Sequence, residues 1–161
     1  MESPYRICVV CSGNICRSPM AQIVLARAFA DAGLADNVEV SSAGTGGWHL
    51  GSGADDRALA ALAGTGYDGS GHRVRRFEAD WLEDLDLVLC ADAGHLREVR
   101  AMAQGSDAEI RLLREFDPHA RDDLDLADPY YGDQSDFEEC LRQIERAGAG
   151  AVDYVRAELA S

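Results

Sequence analysis

The chain has 161 residues, 47% of them hydrophobic and 27% charged, which is enough to bury one core. Its formal net charge of -14 sets up a field that repels nucleic acid and anionic lipid, so neither is expected as a partner. No stretch combines the length and apolarity of a signal segment or membrane span, and a cytoplasmic location is expected.

In chain order, residues 5–11 (YRICVVC) are β-branched and apolar and end at Ser12-Gly13-Asn14, which predicts a buried strand running into a loop. A helix follows, with Ser18 as N-cap and Pro19 in the first turn, and Met20, Ile23, Val24 and Ala28 recur at helical spacing until Gly33. Residues 38–42 read as a second strand, 55–62 as a helix, 85–90 (LDLVLC) as a third buried strand, 92–103 as a helix and 110–113 as a fourth strand. Residues 137–159 form a long amphipathic helix in which Gly148 and Gly150 are weak points. Strands alternating with helices predict an α/β fold: one domain over residues 1–161, with a four-stranded parallel sheet covered on both faces and ligands at the carboxyl ends of its strands. Residues 118–134 are the longest irregular segment, the kind that carries function.

Cysteines at positions 8, 11, 16, 90 and 140 make an odd count with no CxxC pair, so thiol chemistry or burial is expected rather than a disulfide framework. Cys8, Cys90 and Cys140 lie in apolar periodic segments and are read as core. Cys11 opens the run Cys11-Ser12-Gly13-Asn14-Ile15-Cys16-Arg17-Ser18, between strand and helix, where a tight loop turns successive N–H groups inward around an anion. Arg17 adds a planar fork that matches two phosphate oxygens, and the same field stabilises a thiolate. The Ser18 hydroxyl has a proton for that thiolate and acceptor capacity to spare for a helix N–H. A polar residue in so tight a loop suits a positive φ, which Asn14 tolerates.

The C-x5-R-S loop resembles that of the low-molecular-weight protein tyrosine phosphatases. The resemblance runs through Ser42-Ala43-Gly44-Thr45, Trp48-His49, His72, the strand ending Leu89-Cys90, and Asp128-Pro129-Tyr130-Tyr131-Gly132. It implies hydrolysis of phosphotyrosine and other aryl phosphates through a covalent phosphocysteine, with no metal and no cofactor. By that resemblance Cys11 is the nucleophile and Arg17 the phosphate clamp. Asp128 is the general acid, singled out from an acidic run that includes Asp122, Asp123 and Asp125. Ser42 and His72 hold Asn14. Cys16 traps an oxidised Cys11 as a reversible disulfide. Tyr130, Tyr131 and Trp48 wall a slot deep enough for an aryl ring, so the partners are tyrosine-phosphorylated proteins, met by a monomer or weak dimer. The chain carries no Lys, which points to GC-rich coding and a bacterial source.

Two rival functions share parts of this pattern. Arsenate reductases of the same fold pass electrons through two further cysteines, whereas here Cys90 has no partner between residues 71 and 107. A module that binds phosphotyrosine without cleaving it has little use for both a nucleophile and an acid. The nucleotide-binding run Gly-x-x-x-x-Gly-Lys is absent. After the third strand, Ala91-Asp92-Ala93-Gly94-His95 departs from the family pattern of a Met before the Asp and an Asn after it, so the rim differs there. Residues 73–76 (RVRR) are read as a solvated turn, with a substrate-docking strip as the alternative.

Overall fold

A computed structural model describes residues 3–161. Strand β1, Tyr5–Cys11, runs up the middle of a four-stranded sheet between β2, Val38–Gly44, and β3, Leu87–Cys90, with β4, Glu109–Leu112, outside β3. All three pairings are parallel. Parallel strands need crossovers, which cover both faces of such a sheet. The helices that cross are α1, Arg17–Asp31, between β1 and β2, and α3, Ala93–Met102, between β3 and β4; α2, Asp56–Gly64, and the long α4, Gln134–Ala160, complete the cover.

The period of two along a strand splits the core in two. Ile7, Val9 and Cys11 join Leu87 and Leu89 beneath α1, α2 and α4, with Met20, Leu25, Phe137 and Ile144 among the fully buried side chains. Cys8 and Val10 face the other way with Val88 and Cys90, closed over by Val99 of α3, Phe77 and Leu82. Cys8, Cys90 and Cys140 are all buried, as their periodic contexts predict. Burial pushes their thiols up, Cys8 to about 11 and Cys90 and Cys140 to about 12, the behaviour of inert core cysteines.

Differences from the predicted elements sit at their ends. Helix α1 starts two residues earlier, at Arg17, with Cys16 rather than Ser18 at the N-cap position and no side-chain cap; the Ser18 hydroxyl is spent elsewhere. Strand β3 starts at Leu87 because Asp86 turns back to Arg6, its N–H donating to Arg6 O and its carboxylate accepting the Arg6 N–H. β4 shifts one residue earlier because Leu113 opens a 3-10 turn. Helix α4 begins at Gln134, three residues before the predicted start, fixed by a reciprocal cap between Asp133 and Asp136. Gly150 is a requirement rather than a weak point: a Cβ there would lie 1.9 Å from the Phe116 carbonyl oxygen. Among the described residues no helix is long and apolar enough to cross a membrane.

Candidate active site

The site forms where β1 ends and α1 begins, the carboxyl edge of the sheet. Five of its loop carbonyls are turned outward to partners. Cys11 O accepts from Thr45 N–H at 2.9 Å, Ser12 O from Gly46 N–H at 3.0 Å, Ile15 O from Asp55 N–H at 2.9 Å and Cys16 O from Met20 N–H at 3.2 Å. His72 Nε2 lies 2.8 Å from Asn14 O; a carbonyl oxygen only accepts, so this nitrogen carries the ring proton. Because a trans peptide points its N–H opposite to its C=O, the N–H groups of Ser12, Gly13, Ile15, Cys16 and Arg17 face the concave side. A nest of N–H groups at a helix N-terminus has the geometry to hold an anion.

Asn14 braces this shape. It is the single non-glycine residue with positive φ among those described, at 58°. Its Oδ1 accepts from Arg75 N–H at 3.0 Å, and its Nδ2 donates to Ser42 Oγ at 3.0 Å and Ser18 Oγ at 2.7 Å. The loop also packs against Gly44, where a Cβ would come within 2.6 Å of Ser12 O. Burial holds His72 below the ordinary histidine range, against its bond to Asn14, so it serves as a neutral brace.

Cys11 lies at the bottom, 3% exposed, with Sγ 2.9 Å from Ser18 Oγ. Asn14 already donates to that hydroxyl, which leaves the Ser18 proton free to point at sulfur. Arg17 is buried although charged; Nη1 donates to Asp92 Oδ2 at 2.9 Å and Leu126 O at 2.8 Å, and Nη2 lies 3.6 Å from Asp128 Oδ2. With Nη1 anchored, the Nε–Nη2 edge is the part of the fork left for a ligand in the cleft that Arg17 lines.

Asp128 caps a 3-10 turn, Pro129–Tyr131, its Oδ1 accepting from Tyr130 N–H at 3.1 Å. The neighbouring acids point away: Asp125 Oδ1 accepts from Ala93 N–H, and Asp123 Oδ1 from Asp125 N–H. A cleft of about 360 Å³ opens above Cys11 and is lined by the loop, Arg17, Asp128, Trp48, His49 and both tyrosines. Trp48 is exposed and lies across Gly46, where a Cβ would meet its ring at 2.0 Å. Tyr130 and Tyr131 stack edge to face at 5.0 Å, and the Arg57 guanidinium sits 5.4 Å from the Tyr130 ring. These aromatics form an open rim rather than a closed slot; Tyr131 is 90% exposed.

The structure adds residues that sequence reading left aside. Asp92 caps α3 and anchors Arg17. Burial alone would push its carboxyl up, but Arg17 and His95 outweigh that and hold it below the ordinary range. His95 meets Ser12, and Arg57 ties the acid segment to α2 by donating to Gly132 O at 3.2 Å. An Asp opening a helix is a legible capping signal, yet which cation it meets is not. In residues 73–76, Val74 is buried and the Arg75 guanidinium packs 4.7 Å from the Trp81 ring, so this turn is fastened to the body.

Comparison with known proteins identifies the family. The family model for low molecular weight phosphotyrosine protein phosphatase matches residues 6–161. A low molecular weight protein-tyrosine-phosphatase from Streptomyces coelicolor is 52% identical over 158 residues, covering 96% of either chain. Phosphatase A of Mycobacterium tuberculosis is 45% identical over 164 residues, covering 99% of this chain and 97% of its own. The crystal structure of YfkJ from Bacillus subtilis superposes with a TM-score of 0.89 at 30% identity, covering 98% of each chain. The chain belongs to the low molecular weight phosphotyrosine protein phosphatase family.

Proposed function

We propose that this chain removes phosphate from tyrosine side chains through a phosphocysteine on Cys11. The observation that carries the reading is the alignment of three groups on one cleft: a thiol at its floor, the Arg17 fork beside it, and a carboxyl at its mouth 3.6 Å from that fork. The nest and Arg17 hold three phosphoryl oxygens while sulfur attacks phosphorus from the floor; charge building on those oxygens meets donors already in place. The Ser18 hydroxyl steadies the thiolate before attack and as it leaves. Asp128 gives its proton to the departing phenolate, then takes one from the water that attacks the phosphocysteine. The nest and Arg17 supply the charge stabilisation, so turnover is expected to survive chelator.

The open aromatic rim admits a ring carried on a protein surface, and tyrosine-phosphorylated proteins are the substrates. An arsenate reductase is disfavoured by Cys90, whose buried, raised thiol cannot relay electrons at the surface. Cys16 shares the cleft floor, and burial pushes its thiol up, so peroxide meets Cys11 first. The resulting Cys11 sulfenate condenses with Cys16, forming a disulfide and releasing water, and thiol restores both. The acidic surface and a cytoplasmic setting fit a monomer or weak dimer acting on soluble phosphoproteins.

Replacing Cys11 tests the covalent step. Cys11→Ser is expected to lower aryl phosphate hydrolysis by at least ~10³-fold while vanadate still binds, because the nest remains. Activity within tenfold of the parent would falsify the phosphocysteine.

A further inference from the structure

Beside the nest lies a chain of polar groups in which the Ser12 hydroxyl and the His95 imidazole have no part in the phosphoryl transfer described above. Ser12 Oγ is 2.8 Å from His95 Nε2; His95 Nδ1 is 3.1 Å from Asp92 Oδ1; Asp92 Oδ2 holds Arg17. His95 is buried, 3% exposed. Its Nδ1 lies close to the carboxylate but off the hydrogen-bond direction and has no other partner among the described residues.

That geometry selects one neutral tautomer. A proton on Nδ1 faces the carboxylate favourably, whereas a lone pair there would oppose a negative oxygen 3.1 Å away. With Nδ1 protonated, Nε2 is an acceptor, and the Ser12 hydroxyl must donate to it. The hydroxyl then has only lone pairs left for the cleft that Ser12 lines, and lone pairs repel a phosphate oxygen. Imidazolium reverses the arrangement: Nε2–H donates to Ser12 Oγ, and the hydroxyl proton is released.

We propose that Ser12 and His95 form a proton-linked donor switch, in which a dianion entering the nest draws a solvent proton onto His95 Nε2 and Ser12 turns to donate to the anion. The switch rests on the anion-binding reading of the loop but not on the phosphocysteine. Ser12 is then a binding residue and His95 a positioning residue acting through it.

The surroundings of the ring set the balance. Burial and Arg17 of α1 favour neutral imidazole; Asp92 and Glu98 of α3 and Asp128 of the acid segment favour the cation. Burial dominates and holds the ring below the ordinary histidine range, so the resting switch is in its neutral position. A dianion in the nest adds negative charge on the side of the cation.

Sulfate is the probe, because it stays a dianion across the histidine range, and Cys11→Ser is the background, because it removes the nucleophile and turnover. At about pH 7, saturating sulfate is expected to convert the His95 ring from singly to doubly protonated, read by nitrogen NMR. Calorimetry in two buffers should show proton uptake that falls in His95→Gln. Ser12→Ala should weaken sulfate about 10-fold at about pH 5.5 and less than about twofold at about pH 8.5. A ring that stays singly protonated with sulfate bound, or an equal Ser12→Ala loss at both pH values, overturns the switch alone. Sulfate that does not bind at all overturns the loop reading and the switch with it.

Discussion

Asp92 serves two structures at once. One oxygen accepts from the N–H groups of Gly94 and His95 and starts α3; the other fixes Arg17. Asp92→Ala is therefore expected to lower stability by about 1 kcal/mol through the lost cap. It should also lower kcat/KM for an aryl phosphate by about 10- to 100-fold, since a clamp displaced by ~1 Å can cost that much. Asp92→Asn keeps the cap and should recover the stability but only part of the rate. Urea midpoints and steady-state rates on both variants check this; an alanine variant within twofold in rate would show that Arg17 needs no anchor. This tie also marks where sequence reading stops. Cys11, Arg17 and Ser18 were legible because a strand-to-helix loop brings neighbours in sequence together. Arg17 with Asp92 and Ser12 with His95 are separated by 75 and 83 residues, and only the sheet order β2-β1-β3-β4 sets them side by side.

Helix α4 shows the same division among its glycines. Helical periodicity located the element, and propensity marked Gly148 and Gly150 alike as soft points. What each glycine faces depends on packing. A Cβ at Gly148 would meet Leu25 and Val24 side chains at 3.7 Å, ordinary contact, whereas at Gly150 it would enter the Phe116 carbonyl. Gly148→Ala should then stabilise by up to ~1 kcal/mol through helix propensity. Gly150→Ala should destabilise by about 1–3 kcal/mol, because the backbone it strikes must move. Chemical denaturation of the two single variants decides it; equal effects would mean that the contact with Phe116 does not exist. Strand ends were misread for a related reason. Leu85 does pack against the second core cluster, but the strand starts only after Asp86, which pairs with Arg6, a partner 80 residues away.

Across the whole molecule, ionisable groups give stability a defined window. His72 and His95 are depressed by burial, so the folded state resists the protons that unfolded histidines accept; their contribution is present above about pH 6.5 and is lost as pH falls. Burial pushes Asp55 and Asp92 up, but Arg57 on the one and Arg17 on the other prevail and depress both, adding a second loss below the ordinary carboxylate range near ~4. Cys8, Cys90 and Cys140 are raised, so their contribution is full below the ordinary thiol range and declines as pH rises above about 9. Urea midpoints should form a plateau between about pH 7 and about pH 8.5 and fall on both sides. A midpoint unchanged down to about pH 4 would show that these burials are not maintained in solution.

The loop after β1, the cap of α3 and the turn at Asp128 come from distant parts of the chain and meet only in the folded molecule, and the claim that they act as one phosphatase turns on the acid. General-acid catalysis contributes ~10² to 10⁴-fold, in proportion to how badly the leaving group needs a proton. Phosphotyrosine departs as a strongly basic phenolate; para-nitrophenyl phosphate departs as a stabilised anion. The most direct measurement is single-turnover formation of the phosphocysteine by Asp128→Asn with each substrate, because this isolates the first step from the later attack of water. Phosphotyrosine cleavage is expected to slow by at least ~100-fold and para-nitrophenyl phosphate cleavage by less than ~10-fold. Equal slowing of the two would contradict the assignment, reduce Asp128 to a cap of its own turn, and move the search for the acid to Asp122, Asp123 and Asp125.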